Sequence, residues 1–402
     1  MNMRRGTSIM RFSVGSKESE VLLKMRGLYL FTGLAGGSFN PYVTSLLVHQ
    51  GMTSQRIGVM MAFGTLLAIL FQPLWGILVD RYQRTRLVLM LTLIVPGTIV
   101  YLYNVKWLVV IVLVYSLYTI FQSTQTPVAD AYAVNAASAA GTSFGTIRLF
   151  GSIGTALGGY FGGLYLNWLG VTELWIPFLL FNLLALMLVM TIPVNVERRT
   201  QHVTFTSGIR QLLGNRVFLL FLAGCFLVNQ TLTAFNSFFV LTFQMAGGSF
   251  AWSGIALMIA SITSVPAMLV AASVLKKYGY EKTLMLASIV YMLRWAIQWL
   301  IPVPGVMIGV QTLHGMSFGF FYIAAVEYVA SITGKELQAT GQSLFNMVFV
   351  GLGGIAGNLL NGYLLDSGGP GLMYFSCTVS AALGALLLYR VKSISHKKQQ
   401  SE

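Results

Sequence analysis

Charge is scarce in this chain, and acid most of all. Its 402 residues hold 11 Asp and Glu against 25 Lys and Arg, and charged residues make up only 9% of the total. A soluble globular domain carries about a quarter. An ordinary soluble fold is therefore excluded, because most of this chain has to meet lipid or other apolar helices. Cysteine is limited to Cys225 and Cys377, each inside an apolar run. Two such thiols give neither a disulfide framework nor a metal spacing. The P-loop pattern Gly-x-x-x-x-Gly-Lys-Ser/Thr is absent. So are paired carboxylates at helix-turn spacing, a His-rich metal cluster and a Ser/His/Asp set. No cofactor, no metal and no catalytic residue are expected, and the chain does not read as an enzyme. The basic N-terminus (Arg4, Arg5, Arg11, Lys17) lacks the apolar core of a signal peptide, so no cleaved signal is expected.

What the chain does have is apolar residues, 56% of the total. A helix needs about 20 of them to cross the hydrocarbon core. Twelve runs qualify, near 25–49, 57–79, 87–105, 107–134, 144–168, 174–193, 217–245, 251–275, 283–301, 305–331, 340–365 and 370–391. The formal net charge of +14 would point to nucleic acid on a soluble protein, but here the basic residues sit between apolar runs. The odd-numbered connections hold only Arg56 and Lys106. The even-numbered ones hold Arg81, Arg84 and Arg86, then Arg198, Arg199, Arg210 and Arg216, then Lys276, Lys277 and Lys282, then Lys335, and the tail holds Lys392, Lys397 and Lys398. Basic loops stay in the cytoplasm, so both termini are predicted cytoplasmic, and nucleic acid is a poor partner.

The longest internal polar stretch, 194–216, divides the runs six and six. The expected organisation is a cytoplasmic N-terminal segment 1–24, a six-helix bundle 25–193, a cytoplasmic central loop 194–216, a second bundle 217–391 and a cytoplasmic tail 392–402. An internal repeat supports this. A shift of 200 residues lays Gly141, Gly151, Gly154 and Gly162 on Gly341, Gly351, Gly354 and Gly362, and Ser143 on Ser343. Two six-span halves related by a pseudo-two-fold along the membrane normal are a known transporter architecture. The series Gly154, Gly158, Gly162 and the pair Gly353, Gly357 also read as small-residue ladders that let helices approach closely.

After the second run stands Gly76-Ile-Leu-Val-Asp80-Arg81-Tyr-Gln-Arg84-Thr-Arg86. It resembles the cytoplasmic loop signature Gly-x-x-x-Asp-Arg-x-Gly-Arg-Arg/Lys of the major facilitator superfamily, with Gln83 where the family has Gly. The resemblance implies an all-α membrane protein of twelve transmembrane helices in two pseudo-symmetric bundles. It also implies a conformational latch at Gly76, Asp80, Arg81 and Arg84, in which Gly76 permits close packing at a helix end. Further stretches are similar to one branch of the superfamily, that of lactose permease, nucleoside–proton symporters and phenylpropionate permeases. They are Gln72-Pro73-Leu74-Trp75-Gly76, Pro127-Val128-Ala129-Asp130-Ala131, Ile147-Arg148-Leu149-Phe150-Gly151-Ser152-Ile153-Gly154, Arg294-Trp295 and Thr312-Leu313-His314-Gly315-Met316-Ser317-Phe318-Gly319. They reach from the second run to the tenth.

Ionisable residues inside a membrane are expensive and mark functional sites. Asp130 and Arg148 each lie nine residues from the expected turn at Ala139, about 13 Å deep at 1.5 Å per residue. Equal depth lets them pair. Arg294 and His314 each lie ten residues from Pro304, about 15 Å deep by the same rise, and read as a second mid-depth pair. The resemblance to lactose permease implies a substrate-binding role for Asp130 and Arg148, and it gives His314 a counterpart. The branch's proton-carrying glutamate has none, because Ser317 stands there. Gln122, Gln311, Tyr42, Asn229 and Asn236 are further candidates for a polar cavity, and Glu327 is expected at the cytoplasmic end beside a basic loop.

The expectation is a secondary active transporter of the cell membrane, multi-pass and monomeric, working by alternating access. Its substrate is a small polar organic solute: a sugar, a nucleoside or an organic acid. Proton symport is the expected coupling, since burial penalises the charge on Asp130 while Arg148 favours it, and His314 is the second candidate proton carrier. Two arginines against one acid disfavour a cationic drug as substrate. The alternative is a proton-coupled multidrug or metabolite exporter.

Overall fold

The computed structural model describes residues 6–82, 84–192 and 206–401. Among the described residues there is no strand. In chain order the helices are α1 (Gly6–Phe39), α2 (Val43–His49), α3 (Ser54–Tyr82), α4 (Thr85–Ile99), α5 (Leu108–Ala139), α6 (Gly145–Leu169) and α7 (Trp175–Thr191). They continue with α8 (Thr206–Leu213), α9 (Arg216–Asn236), α10 (Phe239–Met245), α11 (Phe250–Tyr278), α12 (Tyr280–Leu300), α13 (Pro304–Val310), α14 (Phe320–Asn346) and α15 (Gly353–Ser401). The expected central loop therefore contains a short helix, α8. Asn215 then starts α9: its side chain accepts from the backbone N–H of Val217 at 3.0 Å and of Phe218 at 3.3 Å, as an N-cap asparagine does. Residues 193–205, including Arg198 and Arg199, lie outside the described ones.

Nine segments of the described residues are long and apolar enough to cross a bilayer. Two of the twelve expected spans, α1 and α6, fall below that apolar level. α1 carries Glu20, Lys24 and Arg26, and α6 is rich in glycine, which adds little hydrophobicity. Two more are run together as Leu337–Ile394, which at 58 residues far exceeds one crossing. Gly369 breaks that run: its φ of 69° is left-handed, and Pro370 follows. Gly334, at φ 68°, likewise ends the helical run before it. Glycine is the residue that takes such a φ without steric cost.

The chain forms two compact units. The first comprises residues 1–39, 67–162 and 172–200. Its backbone approach between α1 and α6 is set by small residues. A Cβ on Gly154 or Gly158 would strike the carbonyl oxygen of Leu30 or Leu34, and one on Gly162 would meet Ser38 Cα at 2.8 Å. The ladder read from the sequence is thus a helix-crossing device. In this unit Met25, Leu28, Val88, Leu93, Ala133 and Ala185 are buried together, and an aromatic cluster holds Phe39 4.4 Å from Phe178 between ring centroids.

The second unit comprises residues 40–66, 163–171 and 201–402. Its centre is aromatic: Trp295, Tyr291 and Tyr374 are fully buried, with Trp295 stacked on Tyr374 at 6.0 Å. The Trp295 indole donates to Thr231 Oγ1 at 2.9 Å, so α12 is tied to α9. Two π-turns, Gly315–Gly319 and Met347–Leu352, interrupt the helices here. Such turns re-aim side chains and are frequent at functional sites.

Candidate functional site

In the first unit the α5–α6 hairpin brings Asp130 and Arg148 together as their equal depth predicts. Arg148 Nη1 lies 2.8 Å from Asp130 Oδ1 and 2.7 Å from Oδ2. The Arg148 side chain is 51% exposed and that of Asp130 30%. Tyr29 of α1 completes the group, its hydroxyl donating to Asp130 Oδ1 at 2.5 Å. The pair is thus partly open, and Arg148 has guanidinium N–H groups beyond those bonded to Asp130. Gln122 is not part of this group. Its Nε2 donates to Gln125 Oε1 at 2.8 Å, one turn further along α5.

In the second unit Arg294 is fully buried. Nη1 donates to Ser317 Oγ at 3.0 Å and Nη2 to Gln311 Oε1 at 2.8 Å. The guanidinium also lies over the rings of Trp295, Phe235 and Tyr291, at 5.1, 5.5 and 5.9 Å. Among the described residues no carboxylate approaches it and Nε has no partner. The expected pairing with His314 is not made. The imidazole stacks between Phe235 at 4.7 Å and Phe318 at 5.6 Å, and its buried Nδ1 is unpartnered. The reason is local. His314 immediately precedes the π-turn Gly315–Gly319, and the wider turn carries Ser317, not His314, to the guanidinium.

The other sequence candidates scatter. Asn229 donates to the Phe349 carbonyl, leaving its Oδ1 unpartnered, while Asn236 is exposed at the end of α9. Tyr42 is buried against Phe250, centroids 6.0 Å apart, and a Cβ on Gly163 would strike the Phe250 carbonyl and come within 2.8 Å of the Tyr42 hydroxyl. Glu327 is exposed and forms no ion pair with a described residue. At the supposed latch, Arg81 lies over the Tyr82 ring at 5.8 Å, and Arg84 precedes α4 without a side-chain cap. The Asp80 side chain and Gln83 lie outside what is described. Close packing is not the role of Gly76 here, since a Cβ on it would meet nothing within 4 Å.

Sequence reasoning missed Tyr29 and assigned Ser317 no role. A signal for Tyr29 was present. It lies one turn before Gly33, whose Cβ would strike the Gly151 carbonyl, and a Cβ on Gly151 would touch the Tyr29 ring at 3.3 Å. Gly33-x-x-x-Gly37 is thus the α1 half of the ladder on α6, and it fixes which residue of α1 lies beside Arg148.

The chain is 28% identical over 377 residues to the uncharacterized transporter YwbF of Bacillus subtilis, covering 93% of this chain and 94% of that one. It is 26% identical over 364 residues to the maltose permease of Geobacillus stearothermophilus, with 90% and 92% covered. In fold it matches the crystal structure of the nucleoside transporter NupG with a TM-score of 0.80 at 18% identity, covering 93% and 98%. These relatives are membrane transporters and not enzymes. The sequence model of the MFS_1 like family matches residues 22–376, and the chain belongs to that family, as a multi-pass membrane transporter of the major facilitator superfamily.

Proposed function

We propose that this transporter carries a small polar organic solute, a sugar, nucleoside or organic acid, in symport with protons. The observation that carries the reading is the Tyr29–Asp130–Arg148 group, a partly exposed carboxylate held between a hydroxyl and a half-exposed guanidinium. A solute that draws Arg148 away leaves Asp130 without its counter-charge, and taking up a proton then becomes favourable. Loading of solute and of proton are thereby linked at one carboxylate. His314 is the second proton-carrying candidate. The fully buried Arg294, with no acid facing it among the described residues, disfavours a cationic cargo and favours one with hydroxyl or carboxylate oxygens. A maltose permease and a nucleoside transporter among the similar proteins fit a polyhydroxylated solute.

The mechanism proposed is alternating access by two six-helix halves, 25–193 and 217–391, making twelve spans with both termini in the cytoplasm. The protein then sits in the cell membrane as a monomer, and the Asp80–Arg84 segment acts as a latch between states. The test uses purified protein in proteoliposomes with an internal pH-sensitive dye, challenged with sugars, nucleosides and organic acids in turn. Internal acidification with one class is expected, and Asp130→Asn is expected to abolish gradient-driven accumulation. Normal accumulation by that variant would rule out the coupling role. Alkalinisation in place of acidification would establish proton-coupled export.

A further inference from the structure

On the second unit, α9 and α15 enclose a groove of about 560 Å³, in the range that accepts a drug-sized molecule. Its rim is apolar and exposed, with Leu360, Phe375, Val379 and Leu383 39–48% accessible. On a membrane-spanning helix a face of that composition meets lipid, so the groove opens sideways into the hydrocarbon. Its depth agrees. Gln230 lies 14 residues from Arg216, about 21 Å along the helix.

Gln230 is the anomaly in this groove. It is 4% exposed, and its side-chain amide makes no hydrogen bond to any described residue, with Oε1 both buried and unpartnered. Its backbone, in contrast, is held firmly. The Gln230 carbonyl accepts from Thr233 Oγ1 at 2.9 Å and from Asn361 Nδ2 at 3.4 Å, and a Cβ on Gly357 would strike that same oxygen. Ser380 Oγ donates to the Leu227 carbonyl at 2.9 Å on the same wall. The two helices are therefore braced around the groove. An amide left unbonded in hydrocarbon is costly, and lipid tails offer it nothing.

We propose that the groove is a binding site for an uncharged lipophilic alcohol that enters from the bilayer. The apolar walls take the body of the molecule, and its hydroxyl bonds the Gln230 amide. The hydroxyl bonds the end of the amide that faces the groove, accepting where that end is the NH2 and donating where the amide is turned to present its oxygen. A charged ligand has no counter-charge in this groove. A plain hydrocarbon fills the volume and leaves the amide unbonded. This site is separate from the Asp130 and Arg294 groups and does not rest on the transport reading.

The test uses the full chain in lipid nanodiscs with two photoactivatable probes, a twelve-carbon primary alcohol bearing a mid-chain diazirine and the matching alkane. After irradiation, peptides covering 226–230 and 372–383 are expected to carry at least five-fold more of the alcohol than of the alkane. Gln230→Met is expected to bring that ratio to about one, and Ala356→Phe, which fills the groove, to cut labelling by both probes at least five-fold. Competition on the unsubstituted protein gives a second readout, in which unlabelled alcohol displaces the probe and unlabelled alkane at equal concentration does not. Equal labelling by the two probes, equal competition, or an alcohol preference that survives Gln230→Met would overturn the proposal.

Discussion

The hydroxyl of Tyr29 donates to Oδ1 of Asp130 at 2.5 Å, across 101 residues of chain. It joins α1 to the ion pair on the α5–α6 hairpin. A carboxylate with two donors around it is more constrained than a bare Asp–Arg pair, and the second donor is a group that a conservative substitution can remove.

Tyr29→Phe deletes only that hydroxyl. A hydrogen bond to a charged group contributes about 1.5–3 kcal/mol when buried, and the partial exposure of this group favours the lower end. Substrate accumulation in proteoliposomes is expected to fall roughly ten-fold, the equivalent of about 1.4 kcal/mol, while the thermal melting point stays within a few degrees. Unchanged accumulation would mean that Tyr29 only fills space.

Arg294→Met tests whether the second guanidinium serves substrate or fold. Arg294 is buried with no acid beside it among the described residues, and an unpaired charge in an apolar interior is costly, so removing it relieves that cost. The variant is expected to melt at the same or a higher temperature and to lose at least ten-fold in transport. A melting point several degrees lower, with transport retained, would make Arg294 a structural brace on Gln311 and Ser317.

The glycines divide into two kinds, and stability measurements separate them. In Gly154→Leu the new side chain drives into the Leu30 carbonyl. Overpacking typically costs about 1–3 kcal/mol, and a backbone oxygen inside a helix cannot move aside, so the upper end is expected in thermal unfolding. Gly76→Ala meets nothing and should match the parent or gain up to about 1 kcal/mol from helix propensity. A large loss at Gly76 would reveal packing in a second conformation.

Gly369→Ala addresses the break before the last helix. At φ 69° an L-residue is disfavoured by about 1–2 kcal/mol, and a drop in melting temperature of that order is expected. No drop would indicate that the chain runs straight through this position.

Much of the first-unit site was legible in advance because a hairpin is local. Two side chains equally far from one turn sit at one depth, whatever the rest of the fold does, and Asp130 met Arg148 on that account. The same arithmetic on Arg294 and His314 gave depth but not direction. Between Pro304 and Phe320 a 3-10 turn at Gln311–Leu313 and the π-turn Gly315–Gly319 change the helical pitch, and Gln311 and Ser317 meet the guanidinium while His314 lies among rings. Periodicity assumes 3.6 residues per turn, and one extra residue in a turn defeats it.

The sequence by itself determined the solvent. A chain with 9% charge and repeated long apolar runs has to be helical in lipid, because only internally bonded backbone is tolerated there. Its loop motif also placed it in the right family. Only the tertiary structure decided which helix faces meet. It brought Tyr29 to Asp130 through a glycine ladder, gave Arg294 neutral oxygens in place of an acid, and left the Gln230 amide unbonded between α9 and α15. Burial is set by composition and length, which act along the chain. Hydrogen-bond partnership is set by rotation and approach of separate helices, and those depend on small residues and irregular turns whose effect appears only once the helices pack.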